Sequence, residues 1–174
     1  MHTSENHHNI ILCGFTSSGK TTIGRPLARA LGCDFVDTDQ LLTGRCGMSI
    51  PELIARDGAE RFRELEHEIT LEAAAMTGTV ISTGGGLMTY EHNAAPLAAS
   101  GTVIYLAPDF ELCYRRLSAH PERPIMQKNT KEQLHRLFDS RIPSYKKYAS
   151  LTLVNPTNIK EAVADILDFL NQQC

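Results

Sequence analysis

The chain has 174 residues, a length suited to one domain with a real buried core. Its formal net charge is −3, 42% of its residues are apolar, and Lys and Arg never gather into a block, which argues against tight nucleic-acid binding. No apolar run approaches the roughly 20 residues that cross a bilayer, and "MHTSENHHN" lacks both parts of a signal peptide, so a cytoplasmic protein without membrane attachment is expected.

His2, His7 and His8 read as a frayed polar tail rather than a metal tract. Five cysteines, Cys13, Cys33, Cys46, Cys113 and Cys174, are odd in number and never form C-x-x-C, which suits free thiols in a reducing compartment. "NIILCGF" (Asn9–Phe15) is a short apolar run ending at glycine and predicts a buried parallel strand. Lys20–Leu31 follows as a helix, with Ile23, Leu27, Ala28 and Leu31 at helical spacing and Gly32 as its stop. Four further β-rich runs are "FVD" (Phe35–Asp37), "TVIST" (Thr79–Thr83), "TVIYLA" (Thr102–Ala107) and "SLTLV" (Ser150–Val154). Helical patterns cover Glu60–Met76, Tyr90–Ser100, Asp109–Ala119, Thr130–Lys147 and Asn158–Gln172. Such alternation predicts one α/β domain, a parallel sheet with helices on both faces. Thr38–Arg61, with its own helical pieces, and the polar "AHPERPIMQKNT" (Ala119–Thr130) interrupt the rhythm as long insertions, which are often lids or binding loops.

Between the first strand and the first helix stands "GFTSSGKT" (Gly14–Thr21), which fits G-x-x-x-x-G-K-[ST]. In a loop of this kind the glycines let backbone N–H groups curl inward and the helix adds the positive end of its dipole. Lys20 can then reach the outer phosphates of a nucleotide, and the Thr21 hydroxyl can ligate Mg²⁺. A GTP-dependent switch would show N-K-x-D, which "NTKE" (Asn129–Glu132) does not supply.

Three motifs bear on the phosphate's acceptor. "DFVDTDQ" places Asp37 and Asp39 two apart at the end of a strand, where both carboxylates could face one crevice, one toward Mg²⁺ and one toward a substrate hydroxyl; capping of the next helix is the alternative. In "ERFRELE" (Glu60–Glu66), Arg63 falls on the flank of an apolar stripe, free to enter a cleft, with Glu66 one turn on to orient it or merely to form a surface ion pair. "STGGGLM" (Ser82–Met88) sets three glycines after a buried strand, more than a tight turn needs; their bare backbone would let a flat ligand lie close and bond to N–H groups.

The order "ILCGFTSSGKTTIGRPLARAL", "FVDTD", "FRELE", "STGGG", "ERPIM", "RIPSYKKYA" resembles the shikimate kinase family over nearly the whole length. The resemblance implies a P-loop, nucleoside-monophosphate-kinase-like fold with a five-stranded parallel sheet. Residues 1–174 would form a single kinase domain, with a core opening at 9–37, a substrate-binding insertion at 38–66 and a lid at 119–130. It implies transfer of the γ-phosphoryl of ATP to the 3-hydroxyl of shikimate, with Mg²⁺, in aromatic amino-acid biosynthesis, by a protein expected to be monomeric.

By position, Ser17, Ser18, Gly19, Lys20, Thr21 and Thr22 resemble the family's phosphate-binding residues. Asp39 resembles the carboxylate that holds the reacting hydroxyl, and Asp37 the aspartate near Mg²⁺. Arg63 and Arg141 resemble the two arginines that clamp the substrate carboxylate, and Gly84, Gly85 and Gly86 the glycines along its ring. Arg123 resembles the lid arginine, Arg116 or its neighbour Arg115 the one that stacks on adenine, and Asn155 and Pro156 the residues that close over the base. Thr21 stands where serine is commoner, and the lid reads Arg-Pro-Ile-Met where Arg-Pro-Leu-Leu is commoner. On this reading Asp39 only orients the hydroxyl and accepts its proton late, so no raised pKa is required of it. Rival readings are a gluconate-type sugar-acid kinase, a nucleoside monophosphate kinase and a P-loop module that binds ATP without catalysis.

Overall fold

The computed structural model describes residues 8–173, so the expectations for His2, His7 and Cys174 lie outside the described residues. Five strands, β1 (Asn9–Cys13), β2 (Asp34–Asp37), β3 (Thr79–Ser82), β4 (Gly101–Ala107) and β5 (Leu151–Val154), form one sheet in the order β2-β3-β1-β4-β5, parallel throughout. Five of the helices are α1 (Lys20–Leu31), α4 (Glu91–Ser100), α5 (Phe110–Ser118), α7 (Lys131–Tyr148) and α8 (Ile159–Asn171). Each agrees with a predicted helix to within a residue at either end.

Strand periodicity divides the core. Ile11 and Cys13 of β1 point to the face covered by α4, α5 and α7, where they meet Leu97, Phe110, Leu134 and Phe138. Ile10 and Leu12 point to the other face and pack with Ile23 and Leu27 of α1 and Ile166 of α8. Close approach of α1 to the sheet depends on Gly24, because a Cβ there would sit 2.6 Å from Phe35 Cε2 and 3.0 Å from Leu12 Cδ1. Cys13, Cys33, Cys46 and Cys113 are free thiols, and burial pushes the Cys13 thiol up to about 12.

The stretch between β2 and β3 is more helical than its sequence suggests. It holds α2 (Thr38–Cys46) and α3 (Ile50–Ala74), and the second extends ten residues N-terminal to the predicted start at Glu60. Ser49 opens α3 with a capping box to Glu52, and Gly58 breaks it with φ 88° and ψ 163°, a conformation other residues rarely adopt. Leu42, Leu53, Phe62, Leu65 and Ile69 close a small apolar cluster of their own. Within 119–130 lies only the one-turn helix α6 (Pro124–Gln127), with Arg123 as its N-cap. No helix among the described residues is long and apolar enough to cross a membrane.

Candidate active site

The carboxyl ends of β1, β2 and β3 and the start of α1 surround a cleft of about 620 Å³. Its floor is the glycine-rich loop. The Ser18 N–H donates to Phe15 O at 3.0 Å to close the turn, and Gly19, at φ 102°, leads into α1. Ser17 sits at φ 63°, unusual for a residue with a side chain and a small store of strain at the loop's apex. Ser17, Gly19, Thr21 and Thr22 line the cleft. Ser18 departs from the expectation: its side chain is fully buried against Gly14 and Lys20, and its amide is engaged within the loop.

Lys20 also lines the cleft, yet its ammonium folds back on the loop, donating to Gly14 O and Phe15 O at 2.9 Å and to Ser18 Oγ at 3.3 Å. Burial holds its pKa below the usual lysine value, opposed by negative or ionisable neighbours that include Cys13, Asp39 and Asp37.

The aspartates reach the cleft by a different route from the one their spacing suggested. β2 ends at Asp37, and Asp39 lies in the first turn of α2, so the alternation of a strand does not relate them. Asp37 caps α2 through Oδ1, which accepts from the amides of Asp39 (3.0 Å) and Gln40 (3.2 Å). Its Oδ2 accepts from Thr21 Oγ1 at 2.9 Å. Capping and facing the phosphate loop are therefore two jobs of one carboxylate. Asp39 opens to the same cleft and has its pKa raised to about 6. Loss of water among the protein atoms of the wall is the main cause; Asp37 adds to it and Lys20 opposes it. The sequence reading requires no raised pKa of Asp39, yet the fold supplies one.

None of the three consecutive glycines has a left-handed φ. They are required by what lies against them. A Cβ on Gly84 would stand 2.7 Å from Asp39 Oδ1, one on Gly85 2.6 Å from Thr16 Oγ1, and one on Gly86 3.3 Å from Arg141 Nη2. The Gly84 N–H already donates to the buried Thr38 hydroxyl at 3.0 Å, so its predicted use by a ligand is corrected as well. Tyr145, buried in α7, donates its hydroxyl to the Gly85 carbonyl, and its ring packs on Tyr105.

Arg116 Nη1 donates to Ser17 O at 3.0 Å and Arg123 Nη1 to Ser17 Oγ at 3.3 Å; both line the cleft. Arg115, the alternative to Arg116, is exposed and does not line it. Pro156 lines the mouth with Thr157 and Ile159, whereas Asn155 sits outside, at φ 47°, accepting from the Asp109 N–H at 2.7 Å. Arg63 and Arg141 lie beyond the cleft, against the segment that follows the glycines. Arg141 borders Gly86 and Phe15, and Arg63 lies over the ring of Tyr90 and donates to the buried Glu66 at 2.7 Å. An isolated surface ion pair is therefore not what Arg63 and Glu66 form.

Thr16, Thr38, Tyr90, His120 and Tyr145 were not singled out from the sequence. Tyr145 alone carried a local signal, one helical turn after Arg141 in "RIPSYKKYA". Thr16, Thr38 and Tyr90 are placed by contacts with segments distant in the chain, and His120 lines the cleft from the 119–130 insertion.

A sequence model described as Shikimate kinase matches residues 16–171. The chain is 35% identical over 157 residues to a shikimate kinase of Thermobifida fusca (strain YX), covering 90% of this chain and 91% of that one. It is 37% identical over 166 residues to one of Haemophilus influenzae (strain PittEE), covering 94% and 92%. Among solved structures, shikimate kinase from Acinetobacter baumannii in complex with shikimate superposes with a TM-score of 0.89 at 32% identity, covering 97% of this chain and 96% of that one. Shikimate kinase from Aquifex aeolicus superposes with a TM-score of 0.80, also at 32% identity, covering 95% and 97%. With a phosphate-binding loop, two carboxylates and a glycine run gathered at one end of a matching parallel sheet, this ATP-dependent kinase belongs to the shikimate kinase family.

Proposed function

We propose that the protein transfers the γ-phosphoryl group of ATP to the 3-hydroxyl of shikimate, as a monomeric cytoplasmic enzyme of aromatic amino-acid biosynthesis. The observation that carries this reading is the seating of Gly84, Gly85 and Gly86 against Asp39, Thr16 and Arg141 in turn. One short backbone segment thereby joins an acceptor carboxylate, the phosphate loop and a cation.

In this reading the insertion at 38–66 and the glycine run hold shikimate, and 119–130 is the lid. Arg63 and Arg141 grip the substrate carboxylate, whose planar oxygens suit the guanidinium fork. Asp39 accepts a hydrogen bond from the 3-hydroxyl and turns its oxygen toward the terminal phosphorus. A P–O bond to that oxygen forms as the bond from the γ-phosphorus to the β,γ-bridging oxygen breaks, ADP leaves, and the hydroxyl proton passes to Asp39. Its raised pKa suits a late proton acceptor better than an ordinary carboxylate would. Lys20, freed from Gly14 O and Phe15 O, and Arg123 balance charge on the phosphoryl oxygens. Arg116 with Pro156 flanks the base, and Asn155 supports the mouth.

Thr21 and Asp37 fit Mg²⁺: they offer a hydroxyl and a carboxylate oxygen 2.9 Å apart, hard donors on the cleft wall. When bound, Mg²⁺ supplies charge neutralisation between the outer phosphates.

ADP release measured with shikimate and gluconate side by side tests the proposal. Shikimate-dependent release with gluconate inert is expected. Release independent of either acid, or faster with gluconate, overturns it.

A further inference from the structure

Arg63 is held on three sides. Two of the contacts belong to its own helix: Glu66 Oε2 at 2.7 Å and the ring of Phe62 at 4.8 Å from the guanidinium carbon. The third is the ring of Tyr90, at 4.6 Å, which comes from the segment that carries the glycines. Tyr90 is fixed in its turn. Its N–H donates to Leu87 O at 3.3 Å, and its carbonyl accepts the amides of Asn93 and Ala94 at 3.0 and 2.9 Å as the cap of α4.

Behind the ring stands a polar and aromatic buttress between α3 and α4. The Tyr90 and His92 rings lie 5.7 Å apart, and the His92 and His67 rings meet in a T-shaped pair with centroids 4.9 Å apart. His67 Nδ1 is 2.8 Å from Oδ1 of Asn93, a residue only 1% exposed. These contacts tie the face that Arg63 lies on to a buried seam, although the Tyr90 side is itself open to solvent.

We infer that Tyr90 is a positioning residue for the anionic substrate, setting the plane and direction of the Arg63 guanidinium. The inference rests on the reading of Arg63 as a carboxylate clamp. A guanidinium lying on an aromatic face keeps its N–H edges free for a planar anion while losing freedom to swing. Glu66 already offsets the charge of Arg63, and a second carboxylate in place of Tyr90 would repel the incoming acid. An aromatic face orients the cation without that repulsion. Specificity follows, since a fork held in one direction favours an acid whose hydroxyl then meets Asp39.

The test is steady-state kinetics of the full chain with ATP and shikimate for Y90L, Y90F, R63A and the Y90L/R63A double variant. Leucine keeps apolar bulk but has no π face, while phenylalanine keeps the face. Y90L should raise the shikimate KM about three- to tenfold, the size of a partly desolvated cation–π contact, with kcat and the ATP KM nearly unchanged. Y90F should behave like the parent protein, and Y90L should add nothing to R63A. A parental shikimate KM in Y90L overturns the inference, as does an equal factor on the R63A background or an equal rise in the ATP KM. If R63A itself keeps the parental shikimate KM, the clamp reading fails and this inference falls with it.

Discussion

Thr21 Oγ1 and Asp37 Oδ2 lie 2.9 Å apart, joining the first turn of α1 to the last residue of β2 while the other oxygen of the same carboxylate caps α2. Charge and capping can be separated here, because asparagine is as good a cap as aspartate. Asp37→Asn should leave the denaturation midpoint close to that of the parent and shift the Mg²⁺ dependence of turnover upward by about tenfold, equivalent to ~1.4 kcal/mol. A Mg²⁺ titration at fixed ATP gives the answer. An unmoved titration curve removes Asp37 from the metal site.

Asp39 should impose an acid limb on activity. With its pKa raised to about 6, kcat/KM for shikimate should fall one proton's worth per pH unit below that value. Asp39→Asn should lower turnover by at least about 10², with ATP affinity retained. Stability carries the opposite sign. The folded chain holds this proton more tightly than the unfolded one, so from pH 3.8 up to about 6 the native state binds more protons and stability falls as pH rises. The variant should therefore melt higher than the parent at pH 7.5, and the gap should close near pH 4. Solvent reaches Asp39 through the open cleft, so the gain is smaller than the shift alone would give. A limb near pH 4 instead of 6 would contradict the assignment.

Gly85 and Gly44 make an informative pair. A Cβ on Gly85 meets Thr16 Oγ1 at 2.6 Å and Thr16 N at 3.0 Å, whereas one on Gly44 meets nothing within 4 Å. Gly85→Ala should push the phosphate loop away from the glycine segment and raise the KM of both substrates together. Gly44→Ala, within α2, should instead stabilise the fold by about 0.5–1 kcal/mol through helix propensity, with kinetics unchanged. A rise confined to one substrate in Gly85→Ala would show that the two segments are not mechanically joined.

Tyr145→Phe deletes a buried hydroxyl and leaves the Gly85 carbonyl without that partner. The cost should be about 1–3 kcal/mol in chemical denaturation, with a weaker hold on shikimate because the same hydroxyl neighbours Arg141. Full stability in the variant would mean that the carbonyl finds another donor.

Arg116→Ala should raise the KM for ATP, and Arg115→Ala should not. Of the two, Arg116 is the one that touches the loop, through Ser17 O at 3.0 Å. Equal effects of the two would place the base elsewhere.

Much of the fold was legible because strand and helix periods alternate cleanly from Asn9 onward, and Gly32 ends α1 in the left-handed form its position predicted. The insertion was harder. α2 carries Leu41 and Leu42 side by side, which mark no stripe, and Gly58 hides the continuity of α3. At the cleft, the sequence named residues that the fold brings together, but two of the reasons they meet were not readable. Asp37 and Asp39 share the cleft across a strand-to-helix junction, and the glycines are bare to admit Asp39, Thr16 and Arg141, not to bend. Tyr90 was invisible for a third reason. Its role arises from a contact with a residue 27 positions earlier, and no local pattern encodes such a distance.

The strand order also divides the molecule's future. With β1 in the middle, the elements proposed to grip the acid hang from β3 and β2, and those proposed to flank the base from β4 and β5. Arg141, on the helix between β4 and β5, is the exception that bridges the halves. A hybrid that receives residues 34–100 from a relative should inherit that relative's preference among acids and keep its own handling of nucleotide, provided an arginine still crosses over to meet it. Selection can thus tune one half while the other stands still.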